Sequence, residues 1–307
     1  VALLNGVFPT GVNKVKLSVL IIGCGDLGIT LGRELIAEGH RVIGVRRHTE
    51  ALAGTGIKPL ALDLNTLDDK GAKALPEADY VIYTVSADRF EESAYQSAYP
   101  DGLNRVLGVL SQHKTPPKRV FFVSSTSVYG QQEGEVITEQ SPASAQSFSG
   151  LLMREAEQAL LDHALPGSVV RFSGIYGPGR DRMIRQVAEG RVAAITPEIY
   201  SNRIHRDDCT GILHHLINRH ERGETLDPIY LGSDSEPATL YAVMTWLAGQ
   251  LKVEATETMQ SPLRRRASKR CDNSRIIASG YAFRYPSFRE GYAQLIKEGG
   301  FLTAVKA

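Results

Sequence analysis

The chain has 307 residues, 42% of them apolar and 22% charged, which is enough for a large buried core and too apolar for a disordered segment. A net charge of +1 supplies no global field to recruit nucleic acid or an anionic membrane, and no segment has the apolar length of a membrane span. The three cysteines, Cys24, Cys209 and Cys271, lie far apart and odd in number, which suits a reducing cytosol better than a disulfide framework and makes a cytoplasmic protein the expectation.

Residues 1–15 carry Pro9 and two glycines without the charged start or apolar block of a signal peptide, and read as a flexible extension. From Ser18 to Ile22 an unbroken apolar run predicts a buried parallel strand. It breaks into Gly23-Cys24-Gly25-Asp26-Leu27-Gly28, and a helical pattern follows with Leu27, Leu31, Leu35 and Ile36 on one face. Gly-x-Gly-x-x-Gly alone is a weak signal. Between a strand and a helix it has the geometry a dinucleotide pyrophosphate needs: a tight turn, close backbone approach, and the unpaired N–H groups of a helix N-terminus. The bland alternative is a structural turn without a ligand.

Arg41 to Val45 is the second predicted strand, and Arg46-Arg47 follows it, with His48 next. Roughly 20 residues past the glycine turn, an NAD-binding chain usually places Asp or Glu against the ribose hydroxyls. Two guanidiniums stand here instead, and guanidinium grips a phosphate that a carboxylate would repel. The pair favours NADP and leaves NAD open; otherwise it is a solvated basic turn.

Further strands are predicted at Pro59–Leu64, Tyr80–Val85, Arg119–Val123 and Ser168–Phe172. Helices fall near Leu67–Ala74, Tyr99–Gln112 and Leu151–His163, and Glu133 to Ser147 reads as a loop. This alternation predicts an α/β fold, a doubly wound parallel sheet covered on both faces, over residues 16–172. Beyond Ser173 the rhythm loosens. Residues 173–307 read mainly as a smaller substrate-binding lobe, with 204–232 returning to the first domain through a strand at Pro228–Leu231.

The fifth strand runs into Ser124-Ser125-Thr126-Ser127-Val128-Tyr129-Gly130. With the glycine turn, this resembles the extended short-chain dehydrogenase/reductase superfamily, the NAD(P)-dependent epimerase/dehydratase group. Other matches follow in order: Asp63-Leu64, Thr84-Val85-Ser86, Arg171 to Arg180 with its Gly-Ile-Tyr-Gly-Pro-Gly core, Ile204-His205-Arg206-Asp207-Asp208, and Tyr230 to Ser233. Together they span roughly Lys16 to Tyr292. The resemblance implies a Rossmann-type sheet and cofactor contacts from Gly23, Gly25, Asp26, Leu27, Gly28, Arg46, Arg47, Asp63, Leu64, Thr84, Val85 and Ser86. Asp63 would meet the adenine amine, and a homodimer is allowed.

The resemblance also implies a catalytic Ser or Thr, a Tyr, and a Lys that lowers the phenol's pKa. Ser125 matches the first. Aligned through Glu155-Ala156-Glu157-Gln158-Ala159-Leu160, the Tyr position falls on Ser149 and the Lys position on Met153. A one-residue slip gives Gly150 or Phe148, so this is similar to the atypical branch of the superfamily. No Asp-Glu pair follows Ser125, so dehydratase-type elimination is not implied.

Tyr176 and His205 are the candidate replacement acids, while Tyr129 reads as packing. Asp207 and Asp208 are expected to cap the next helix, and its histidines, His214, His215 and His220, lack metal-ligand spacing. Arg180, Arg264 and Arg266 are candidate substrate contacts. The expected function is an NAD(P)-binding oxidoreductase or epimerase-type protein acting on an unknown polar small molecule, a nucleotide-linked one included. The alternative is a non-catalytic NADP-binding sensor or scaffold.

Overall fold

A computed structural model of the chain describes residues 16–67, 75–259 and 268–299. Seven strands form one parallel sheet: β1 (Ser18–Ile22), β2 (Arg41–Arg46), β3 (Lys58–Ala61), β4 (Tyr80–Tyr83), β5 (Arg119–Ser125), β6 (Gly167–Phe172) and β7 (Ile229–Gly232). Their spatial order is β7-β6-β5-β4-β1-β2-β3, with every neighbouring pair parallel. The order reverses between β1 and β4, and at such a switch point the carboxyl ends of the strands open a crevice.

Alternation along the strands explains why both faces are covered. Leu20, Ile22, Val81, Tyr83, Val120 and Phe122 pack on one face against helices α2 (Gly102–Ser111) and α3 (Phe148–Leu161). Val19, Ile21, Tyr80, Ile82 and Phe121 face the other way, against α1 (Asp26–Ala37) and α4 (Arg206–Glu221). The expected doubly wound sheet is present. A third apolar cluster joins α5 (Leu240–Leu251) and α6 (Phe288–Glu298) to Tyr176, Ile184 and Val187.

Three local expectations are corrected. Helix α3 begins one turn before Leu151 because the Ser147 hydroxyl caps it, accepting from Gly150 N at 3.3 Å. The segment expected as a loop holds a short strand, Glu135–Ile137, paired in parallel with Lys269–Cys271. At α4 the cap is the His205 ring, which accepts from Asp207 N at 3.2 Å. Asp208 instead lies buried and accepts from Tyr281 Oη and from the main-chain N–H of Arg284 and Tyr285, at 2.7–3.0 Å. The expected extension at residues 1–15 lies outside the described residues, as does most of the helix expected at Leu67–Ala74. No described helix is long and apolar enough to cross a membrane.

Candidate functional site

The three glycines after β1 have separable roles. Gly23 adopts φ +78°, and an added Cβ would lie 2.6 Å from the main-chain N and Cα of Val85, so the fold itself requires glycine there. At Gly28 a Cβ would fall 2.9 Å from Ile21 Cγ2, so this glycine lets α1 lie close on the sheet. Gly25 is different. Its φ is −94° and the nearest atom to an added Cβ is the Gly23 carbonyl oxygen at 3.8 Å. Nothing in the protein itself excludes a side chain at Gly25, which caps α1 and lines a cavity.

That cavity, about 280 Å³, opens at the carboxyl ends of β1, β2 and β4. Ile22, Gly23, Gly25 and Val45 line it together with Arg46, Arg47 and His48 from the end of β2. Leu62, Asp63, Leu64 and Asn65 follow β3, and Val85, Ser86, Asp88 and Ser97 follow β4. Thr84 Oγ1 donates to the carbonyls of Gly23 and Ile22, at 3.0 and 3.2 Å, and ties the ends of β4 and β1 together. Asp63 is held by accepting from Asn65 N at 2.9 Å. Leu27 packs into the α1–sheet interface, which leaves its main chain for any ligand. Arg46 Nη1 donates to the Cys24 carbonyl at 3.2 Å. Arg47 Nη2 pairs with Asp88 Oδ1 at 2.6 Å, which raises the guanidinium's pKa and lowers the carboxyl's. Cys24 is buried, and its thiol is pushed up to about 11, so no thiolate faces the turn. A glycine turn beside a cavity walled by two guanidiniums fits the adenosine diphosphate half of a dinucleotide.

Asp26, at the first position of α1, meets two arginines from the second half of the chain. Arg180 Nε lies 3.2 Å from Asp26 Oδ2, and Arg206 Nη1 lies 3.0 Å from Asp26 Oδ1. Arg180, expected against substrate, is thus placed at the glycine turn. Arg206 and Asp88 were not singled out from the sequence, because both contacts join segments remote along the chain and carry no local pattern.

Ser125 ends β5, and its Oγ accepts from Ser127 N at 3.1 Å. Beneath it lies a buried ionic network. Arg171 on β6 meets Glu157 on α3 through Nε–Oε1 at 2.8 Å and Nη2–Oε2 at 2.6 Å, and Arg171 Nη1 donates to Tyr129 Oη at 2.8 Å. Ser124 Oγ adds a bond to Glu157 Oε1 at 2.6 Å. One and two turns before Glu157 on α3, Met153 and Ser149 are buried, and Met153 belongs to the sheet core.

Tyr176 and His205, the candidate acids, are both interior. Tyr176 is buried in the cluster around α5 and α6, its ring 4.5 Å from that of Tyr292 and its hydroxyl against Gly291. Burial pushes that hydroxyl far above the ordinary phenol range, the opposite of activation. His205 is fully buried between Tyr176 and Tyr285. Burial lowers its pKa to about 4, so it is neutral at pH 7 and acts as a cap. The folded-state pKa is depressed, so the unfolded chain takes up the proton first as pH falls. Stability from His205 is therefore complete above about 6.5 and is lost toward pH 4. His205→Asn keeps an acceptor at the cap and cannot titrate. The wild-type chain is expected to lose Tm faster than this variant between pH 6.5 and 4, and parallel curves would refute the assignment. Arg264 and Arg266 lie outside the described residues.

The sequence pattern of the NAD dependent epimerase/dehydratase family matches residues 19–237. Protein YeeZ of Escherichia coli (strain K12) is 29% identical over 280 residues, covering 87% of this chain and 96% of YeeZ. A protein of known structure from Methylobacillus flagellatus is 35% identical, with TM-score 0.74 over 95% of this chain and 99% of its own. Human epimerase family protein SDR39U1 (isoform 2), solved with NADPH, shares the fold at 20% identity, with TM-score 0.74 over 92% of this chain and 99% of its own.

Proposed function

The chain belongs to the NAD dependent epimerase/dehydratase family, whose cofactor is a nicotinamide dinucleotide, and from that premise we propose that it takes NADP and carries out oxidoreductase or epimerase-type chemistry on a polar metabolite. One observation carries the cofactor choice: Arg46 and Arg47 line the adenosine cavity where a carboxylate would select NAD. The Gly23–Gly28 turn and the N-terminus of α1 would hold the diphosphate, and Asp63 would face the adenine. The bound nicotinamide supplies hydride exchange.

The chain's own residues would position the substrate. The Ser125 hydroxyl already accepts from Ser127 N, which leaves its proton to be donated to a substrate oxygen. A substrate joined to a nucleotide is one such polar metabolite. The second reading, a non-catalytic NADP-binding protein, is supported by Ser149 and Met153, which alignment through Glu157 puts at the family's Tyr and Lys positions and which are both buried. Cofactor turnover with a panel of carbonyl metabolites separates the two readings.

Arg46→Asp tests the cofactor choice. A hydrogen bond between charged groups is worth about 1.5–3 kcal/mol, and the new carboxylate would also repel the phosphate. NADPH affinity is expected to fall by about ten- to a hundredfold or more, with NADH affinity little changed. Equal losses for both cofactors in a calorimetric titration would overturn the assignment.

A further inference from the structure

The two arginines of the adenosine cavity are held differently. Arg46 is anchored by main chain, through the Cys24 carbonyl and through its place at the end of β2 opposite Ala61. Arg47 is anchored by a carboxylate. Its partner Asp88 follows β4, and β1 lies between β2 and β4 in the sheet. The Arg47–Asp88 pair therefore spans the carboxyl end of β1, above the glycine turn, and both residues line the cavity that holds Gly23, Gly25 and Asp63.

We propose that Asp88 is a specificity-determining residue that competes with the adenosine 2′-phosphate of the dinucleotide for the Arg47 guanidinium. This rests on the NADP reading above and adds the group that opposes it. A phosphate dianion within hydrogen-bonding reach of Arg47 lies next to the Asp88 carboxylate, so NADP meets like-charge repulsion or must displace the pair. NAD carries no such phosphate and leaves the pair closed. Asp88 thereby narrows the preference for NADP that Arg46 and Arg47 create.

The exposure of the pair sets the size of the effect. The side chains of Arg47 and Asp88 are 50% and 61% exposed, and water screens such a contact strongly. The competition is therefore worth about fivefold in affinity rather than orders of magnitude. It also weakens as salt rises, because the contact faces solvent.

The test is calorimetric titration of NADPH and NADH into the full chain and its Asp88→Asn, Arg47→Gln and double variants, with Tm checked for each. Asp88→Asn is expected to tighten NADPH by about fivefold and to leave NADH within about twofold. Arg47→Gln is expected to weaken NADPH and to abolish the effect of Asp88→Asn, since the two substitutions act on one contact. If Asp88→Asn leaves NADPH unchanged, or weakens both cofactors, while Arg46→Asp and Arg47→Gln still weaken NADPH, the competition is refuted and the NADP reading survives. If neither arginine substitution affects NADPH selectively, the NADP reading itself fails and the competition fails with it.

Discussion

Glu157→Gln is expected to destabilise the protein by about 3–5 kcal/mol, because it leaves the buried Arg171 guanidinium without its counter-charge. Arg171 and Glu157 are both buried, and two hydrogen bonds of 2.8 and 2.6 Å join them. The substitution keeps the side-chain volume, so no cavity contributes. For a chain of 307 residues the loss corresponds to a fall in Tm of about 5–8 °C. Urea unfolding should show the midpoint moving with little change in slope. Removing both charges as Glu157→Leu with Arg171→Met is expected to cost less than the sum of the single changes, since apolar pairs often replace a buried ion pair at little cost. Full additivity would show that the pair is not the linchpin of α3, β5 and β6. The network also holds Ser124 and Tyr129 on either side of Ser125, so its loss should loosen the catalytic candidate as well.

Gly25→Ala is expected to separate folding from cofactor binding. The backbone there has negative φ, and an added Cβ meets no protein atom closer than 3.8 Å. Alanine at the cap of α1 should therefore lower stability by no more than about 1 kcal/mol. If a diphosphate approaches this main chain, the methyl group intrudes where the ligand must pack. Overpacking of that kind costs up to about 3 kcal/mol, or about a hundredfold in affinity. Gly23→Ala is the contrast: it should disturb the fold itself, because its Cβ would press on the main chain of Val85. A Gly25→Ala protein that keeps both its Tm and its affinity would place the dinucleotide elsewhere.

Strands β1 and β4 were legible because a central parallel strand is buried on both faces and reads as a continuous apolar run. The glycine turn was legible because its requirements are local: a backbone reversal, a close approach and a helix start lie within six residues. Arg46 and Arg47 were legible for the same reason, from their place at the end of β2.

The rest depends on contacts between distant segments. Asp88 reaches Arg47 from another loop, and Asp26 gathers Arg180 and Arg206 from the far half of the chain. Tyr176 and His205 read as substrate-facing, yet α6 and Tyr285 pack over them and make them interior. No pattern near either residue announces that cover. Glu157 was recognisable in the sequence as a marker of the helix, but its counter-charge on β6 became visible only with the strands assembled.

Isothermal titration of NADPH and NADH into the folded wild-type chain is the most direct test of a dinucleotide site at the β1–α1 turn. The account predicts saturable one-to-one binding of both, with NADPH the tighter. A folded protein that gives no binding heat with either nucleotide across a range of temperatures would contradict it.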